Sequence, residues 1–114
     1  CCGRNQILRD NKWIEAVSPT IFESFTQAPL GDIEDPVKAA HGLPDDIFFK
    51  GGISLERLLK GTPDQIADIT EWAIDSYSDR PYVLAGTCAV LTGTPEKNIR
   101  AATETAAQLE NRHA

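Results

Sequence analysis

The sequence predicts an α/β fold with parallel strands. Three short apolar runs are rich in strand-forming residues, and segments with helical spacing of apolar residues lie between and around them. The order that results is helix, strand, helix, strand, short helix, long helix, strand, helix. Alternation of this kind is typical of a parallel sheet whose strands are joined by right-handed helical crossovers.

The predicted strands are Thr20 to Phe25, Ile47 to Phe49 and Tyr82 to Ala85. The last two are almost uninterruptedly apolar, which favours strands buried on both faces of the sheet. Glycines follow each of them, at Gly51-Gly52 and at Gly86. We expect these glycines to lie in loops that turn from a strand end toward a helix.

Three helix starts share a capping side chain followed by proline, which is favoured at the first helical position because its missing N–H needs no partner there. They are Asp35-Pro36, Thr62-Pro63 and Thr94-Pro95. After Thr62, Gln65 completes a capping box. Each of the last two starts precedes an apolar stripe, formed by Ile66, Ile69, Ala73 and Tyr77 and by Ile99, Ala102, Ala106 and Leu109.

Two further helices are predicted with less regular patterns. One follows Gly3, carries Ile7, Leu8 and Ile14, and ends near Ser18-Pro19. The other is short and runs from Leu55 to Leu59.

Composition narrows the class of protein. The 114 residues suffice for one domain, and 17 acidic against 11 basic residues give a net charge of -6 without a basic cluster, which disfavours a nucleic-acid partner. No run has membrane-spanning length and no signal peptide is visible, so we expect a cytoplasmic protein without a membrane partner. Three cysteines make no secreted disulfide framework, and the absence of methionine predicts a piece of something longer.

Cys88 lies in the stretch "LAGTCAVLTGTPEKNI", after an apolar run and before a helix start. It is either a packing thiol or a functional one, and from the residues alone packing is the commoner role. His41 and His113 are predicted to be solvated surface residues, and Asp32 a local turn residue. Trp13 and Trp72 are predicted to pack between helices and sheet.

Four blocks carry a resemblance to a known family. In order along the chain they are "CCG", "PLGDIEDPVKAA", "FFKGGISLERLLKGTPDQI" and "YVLAGTCAVLTGTPEKNIRAATETA". They resemble the C-terminal part of the uroporphyrinogen decarboxylase superfamily, which includes the decarboxylase of haem biosynthesis and zinc-dependent methyltransferases that move methyl groups between corrinoid proteins and thiols.

The resemblance implies that residues 1–114 are a single partial domain, the last part of a (β/α)₈ barrel, with about three parallel strands and their helices. It also implies that Cys2 and Cys88 are zinc ligands. Cys2-Gly3 matches the Cys-Gly of the methyltransferase motif, whose histidine would precede Cys1, and Cys88 matches the thiolate ligand after the last strand. Cys1 matches no ligand position.

Three functions stay open on this basis. The first is zinc-dependent methyl transfer between a corrinoid protein and a thiol. The second is decarboxylation of a tetrapyrrole substrate, although "GTCAV" departs from the Gly-His-Gly type of loop in that branch. The third is a non-catalytic assembly module. Since barrel sites draw on loops from several strands, we expect the 114-residue chain alone to lack turnover and, because a partial barrel leaves an open apolar face, to self-associate.

Overall fold

The computed structural model describes residues 12–25, 32–87 and 89–113. Within them, five helices and three strands alternate along the chain. In chain order these are α1 (Trp13–Val17), β1 (Ile21–Glu23), α2 (Pro36–His41), β2 (Phe48–Ile53), α3 (Leu55–Lys60), α4 (Pro63–Ser76), β3 (Tyr82–Gly86) and α5 (Glu96–His113). The predicted α/β alternation is confirmed. None of the helices in these ranges is long and apolar enough to cross a membrane.

The three strands form one parallel sheet in the order β1-β2-β3. Ile21 is paired with Phe48 at the start of β1, and Phe49 is paired with Tyr82 at the start of β3. Strands that are consecutive in the sequence are therefore neighbours in the sheet. Helix α2 connects the first pair, while α3 and α4 connect the second.

The helices cover one face of this sheet. Phe22, Phe49 and Tyr82, which share a register row, point to that face and contact a buried cluster that includes Ala40 and Tyr77. A second cluster continues the core toward α3, α4 and α5, and it contains Ile53, Leu58, Ile66 and Ala102. Leu84 on β3 contacts both clusters. The molecule is 19 Å across its thinnest dimension, as expected for one sheet and one layer of helices.

The opposite face, which we call the open face, carries Ile21, Glu23, Phe48, Lys50 and Val83. Because successive side chains alternate between the faces of a strand, these residues point away from the covered face. Ile21, Phe48 and Val83 are 51%, 42% and 40% exposed. The expectation that β2 and β3 are buried on both faces is therefore wrong, because apolar content alone does not reveal whether a second layer is present.

The glycine pair in "FFKGGIS" lies inside β2 rather than in the loop after it, which corrects the sequence prediction. Gly51 and Gly52 have φ of 146° and 109°, in the region that L-residues rarely adopt. A Cβ at Gly52 would meet the Tyr82 hydroxyl and lie 3.2 Å from the Ala73 Cβ. The strand therefore continues through two glycines because the covered face has no room for a side chain there.

Two of the three predicted helix starts have the expected capping bonds. The Asp35 carboxylate accepts a hydrogen bond from the Lys38 N–H at the start of α2. Thr62 and Gln65 form the predicted capping box at the start of α4, with distances of 3.3 and 3.0 Å. Helix α5 begins at Glu96, directly after the Thr94-Pro95 pair, but the Thr94 hydroxyl donates to the Leu91 carbonyl at 2.7 Å instead of capping the helix. Helix α1 ends at Val17, as expected, while the predicted helical residues before position 12 lie outside the described part.

The apolar stripe of α4 is confirmed, since Ile66, Ala73 and Tyr77 are at most 1% exposed. The stripe of α5 needs one correction. Ile99 is 38% exposed, whereas the preceding Asn98 is fully buried. The Asn98 amide donates to the carbonyl oxygens of Leu58 and Gly61 at 2.9 and 2.8 Å. Asn98 thus joins the start of α5 to the end of α3, and this polar contact turns Ile99 outward.

Arg80 fixes the connection between α2 and β2. Its Nη1 donates to the Ala40 carbonyl at 2.6 Å and lies 3.5 Å from the Leu43 oxygen, while its Nη2 donates to the oxygens of Pro44 and Ile47 at 3.1 and 2.5 Å. A guanidinium offers five N–H donors in a rigid planar fork. From its position just before β3, the Arg80 side chain therefore binds four carbonyl groups at the end of α2 and in the connection to β2.

Replacing Arg80 by alanine is expected to lower the free energy of unfolding by about 3 kcal/mol, because partly buried carbonyl groups lose a charged donor. Arg100→Ala is the matched control. Arg100 contacts the exposed Glu96 four residues earlier on α5, and such surface pairs contribute about 0.3–0.5 kcal/mol. Urea unfolding followed by tryptophan fluorescence measures both. Equal losses for the two variants would contradict the role given to Arg80.

Candidate functional site at the carboxyl edge of the sheet

The carboxyl ends of the three parallel strands meet at one edge of the sheet, at Glu23, Ile53 and Gly86. In parallel α/β proteins this is the edge where loops build functional sites. The chain remains bound to β2 just beyond β3, because the Thr87 N–H donates to the Ile53 carbonyl at 3.0 Å. Thr87 immediately precedes Cys88 in the sequence. The described chain therefore reaches this edge at Thr87, one residue before Cys88 in the sequence.

Cys2 and Cys88, the predicted zinc ligands, both lie outside the described residues. Their shared zinc site stays a prediction. Within residues 12–25, 32–87 and 89–113 there is no group of three or more His, Cys, Asp or Glu side chains that could hold a metal. The donors that the sequence supplies for the site, two thiolates, match the preference of zinc for sulfur and nitrogen ligands.

Two charged side chains lie on the open face, one at the end of β1 and the other in the middle of β2. Glu23, the last residue of β1, is paired in register with Lys50 of β2, and Lys50 is paired with Val83 of β3. The three side chains consequently form one row across the sheet. No sequence motif indicates Glu23 or Lys50, because their proximity depends on strand register and not on sequence spacing.

An aromatic group fills the covered face behind the same strands. The ring centroids of Phe49 and Tyr77 are 4.8 Å apart, and those of Tyr77 and Tyr82 are 4.9 Å apart. The Tyr82 hydroxyl donates to the Gly51 carbonyl at 2.6 Å. This bond joins the start of β3 to β2 in addition to the sheet hydrogen bonds, so the aromatic group stabilises the sheet from the side of the helices.

Burial changes the acidity of both tyrosines in this group. Desolvation, with a smaller contribution from the Asp35 carboxylate, raises the pKa of Tyr77 to about 12. The pKa of Tyr82 is also raised, first by desolvation and then by the neighbouring Tyr77. Both phenols are therefore neutral at physiological pH. Tyr77 acts here as a packing group, and Tyr82 as a packing group and hydrogen-bond donor.

The other residues considered from the sequence have ordinary positions. His41 is exposed, with its Nε2 3.1 Å from the Ser76 carbonyl oxygen and 3.5 Å from the Asp79 carboxylate. The His113 side chain lies outside the described part. Trp13 and Trp72 are 49% and 50% exposed, so the expectation that they pack fully between helices and sheet is wrong, although the Trp72 ring meets the edge of Tyr77.

The raised tyrosine pKa values predict a loss of stability in alkali. Above pH 10 the unfolded chain releases phenolic protons that the folded chain retains up to about pH 12 for Tyr77. Stability is therefore complete below pH 10 and declines from pH 10 to 12, by roughly 1.4 kcal/mol per pH unit for each such proton. Tyr77→Phe removes one of these protons and is therefore expected to make the decline shallower by roughly 1.4 kcal/mol per pH unit.

The chain has only two tyrosines, so phenolate absorbance reports on this pair alone. Urea unfolding at pH 9, 10 and 11 gives the slope for the native chain and for Tyr77→Phe. Phenol ionisation with a midpoint near pH 10 in the folded protein would contradict the assigned burial.

Comparison with known proteins gives no family for this chain. No protein-family model matches it, and a search of curated proteins finds no match.

Proposed function

We propose that the chain is the C-terminal section of a (β/α)₈ barrel enzyme of the uroporphyrinogen decarboxylase superfamily. The observation that carries the proposal is the one-sided sheet. Its strands are parallel and follow the order of the sequence, the helices lie on one face, and the other face exposes Ile21, Phe48 and Val83. A barrel wall has helices outside and branched or aromatic side chains inside in this way.

The activity that we propose is zinc-dependent methyl transfer between a corrinoid protein and a thiol, in the cytoplasm. Zinc, when bound, lowers the pKa of a substrate thiol so that a thiolate is present at neutral pH. Cys2 and Cys88 supply two thiolate ligands in the proposal, and the residues before Cys1 supply the histidine. The Thr87 bond to β2 supports this assignment, because it holds the chain at the carboxyl edge one residue before Cys88.

The tetrapyrrole decarboxylase stays the alternative activity within the same family. It requires no metal, and its substrate carries several carboxylates. Among the described residues, Lys50 places a positive charge on the open face, which is the interior of the proposed barrel. A cation in this position suits a substrate with carboxylates. The cysteine in "GTCAV" favours methyl transfer over this alternative.

The test uses the full-length protein that the proposal implies. We expect one zinc per chain and methyl transfer from a methylated corrinoid protein to a thiol. Cys2→Ser and Cys88→Ser should each remove the zinc and reduce activity by more than about 100-fold, since even supporting residues of metal sites cost 10- to 100-fold. Cys1→Ser is the matched control and should retain both. Metal analysis and a methyl-transfer assay on the same preparations give the result.

Decarboxylation of a porphyrinogen by a zinc-free protein would replace the proposed activity with the alternative. Retention of zinc by Cys88→Ser would remove Cys88 from the site. A full-length protein with neither zinc nor either activity would support the assembly-module function.

A further inference from the structure

Glu23 of β1 and Lys50 of β2 form a charged row on the open face. The two residues are paired in register, and neighbouring strands lie about 4.8 Å apart. An apolar row, Ile21 and Phe48, precedes them on the same face. Within residues 12–25, 32–87 and 89–113, neither charged side chain has a hydrogen bond or an ion pair. Each charge is therefore available to a ligand, although the two residues are neighbours.

Small residues separate the charged row from the carboxyl edge. Gly52 of β2 is paired with Ala85 of β3 in the row that follows Lys50 toward this edge. Strand β2 ends at Ile53, whose side chain is buried in the core on the covered face. Between Lys50 and its own end, β2 consequently has no side chain on the open face. These three residues span about 10 Å, so a small molecule that enters from the carboxyl edge can reach the charged row.

The chain turns sharply directly after Glu23. Ser24 is fully buried and has a φ of 59°, a conformation that is uncommon for residues other than glycine and that occurs preferentially at functional sites. The turn carries Phe25 into the buried cluster of the covered face. Glu23 is consequently the last residue that β1 places on the open face, and its carboxylate lies where the strand reaches the edge.

We propose that Glu23 and Lys50 bind the two charged groups of an α-amino acid that carries a thiol, a methyl acceptor of the cysteine type. The Glu23 carboxylate accepts hydrogen bonds from the ammonium group of the ligand, and the Lys50 ammonium donates to its carboxylate. In an α-amino acid both groups are bonded to one carbon. A ligand carbon between β1 and β2 therefore brings each charge to its partner.

This inference rests on the proposed function, because the open face encloses a substrate only inside the closed barrel. In an interior of low dielectric constant, a charge of the same sign close to a bound group is costly. Glu23 would repel a ligand whose only charge is a carboxylate, and Lys50 would repel one whose only charge is an ammonium. A zwitterion alone is attracted by both residues.

The thiol of such a ligand is the end that remains for the chemistry at the carboxyl edge. In methyl transfer the sulfur–carbon bond forms as the cobalt–carbon bond breaks, the electron pair of the broken bond stays with cobalt, and the thiol proton leaves to solvent. Glu23 and Lys50 take no part in these changes. They determine which thiol is accepted and hold its charged end.

Isothermal titration calorimetry of the full-length protein with three thiols tests the inference. Cysteine carries both charges, cysteamine carries the ammonium alone, and 3-mercaptopropionate carries the carboxylate alone. We expect cysteine to bind at least roughly 10-fold more tightly than either analogue, since a hydrogen bond to a charged group contributes a factor of this order. In the methyl-transfer assay, KM should follow the same ranking. Equal affinity for the three thiols would overturn the inference.

Two variants of nearly unchanged size separate ligand binding from a structural role. Lys50→Met should weaken the binding of cysteine and 3-mercaptopropionate about 10-fold but not that of cysteamine. Glu23→Gln should weaken the binding of cysteine and cysteamine by a similar factor but not that of 3-mercaptopropionate. Circular dichroism verifies that each variant is folded, and the comparison of the three thiols on the native protein needs no variant.

Matched controls remove the same charges at exposed positions elsewhere. Glu71→Gln on α4 and Lys97→Met on α5 should leave all three affinities unchanged. If Glu23 and Lys50 only pair with each other, their variants will change the affinity for every thiol by the same factor, and this result would reject the ligand assignment.

Binding and turnover fail separately in this design. Charge-selective binding of cysteine without methyl transfer would retain Glu23 and Lys50 as binding residues and reject the proposed activity. Methyl transfer without a preference for the zwitterion would retain the activity and reject the role of the charged row.

Discussion

The packing of Phe49 on the covered face is the interaction on which the rest of this structure depends. Phe49 lies on the central strand and is 1% exposed. Its ring centroid is within 6.1 Å of those of Phe25, Tyr77 and Tyr82, which come from the region after β1, the end of α4 and the start of β3. A single side chain therefore joins all three strands to the helix layer. Once it points toward the helices, the alternation of side chains along β2 places Phe48 and Lys50 on the opposite face.

This constraint accounts for the difference between the two faces of the sheet. It gathers the helices on one side, which leaves the strand arrangement of a barrel wall, and it orders the open face into an apolar row and a charged row. The hydrogen bond from Tyr82 to Gly51 extends the same constraint toward the carboxyl edge. Sheet, open face and candidate site are thus consequences of which side of β2 is buried.

The features that the sequence predicts correctly depend on contacts between residues that are close together in the chain. The capping box of Thr62 and Gln65 involves residues three apart, so its geometry depends on nothing distant. Arg80 shows the opposite case, because its carbonyl acceptors lie 33 to 40 residues earlier in the chain. Gly51 and Gly52 were expected in a loop, since the strand continues through them only because of contacts with Tyr82 and α4.

Only part of the candidate site could be predicted from the sequence. The carboxyl edge follows from the alternation of strands and helices, and the structure confirms that β3 ends just before Cys88. The row that joins Glu23 to Lys50 could not be predicted, because a shift of one residue in register would place it on the other face. The pairing of Cys2 with Cys88 comes from the family resemblance alone, and both residues lie outside the described part of the chain.

The distance between the Cys2 and Cys88 sulfur atoms tests the central claim most directly. An experimental structure of the zinc-treated chain provides it, with Cys1→Ser to exclude the neighbouring thiol. Two thiolates that share a tetrahedral zinc with bonds of about 2.3 Å lie roughly 3.8 Å apart, and this is the separation that we expect. Sulfur atoms more than about 8 Å apart, with core side chains between them, would contradict a shared zinc site and with it the assignment as a methyltransferase.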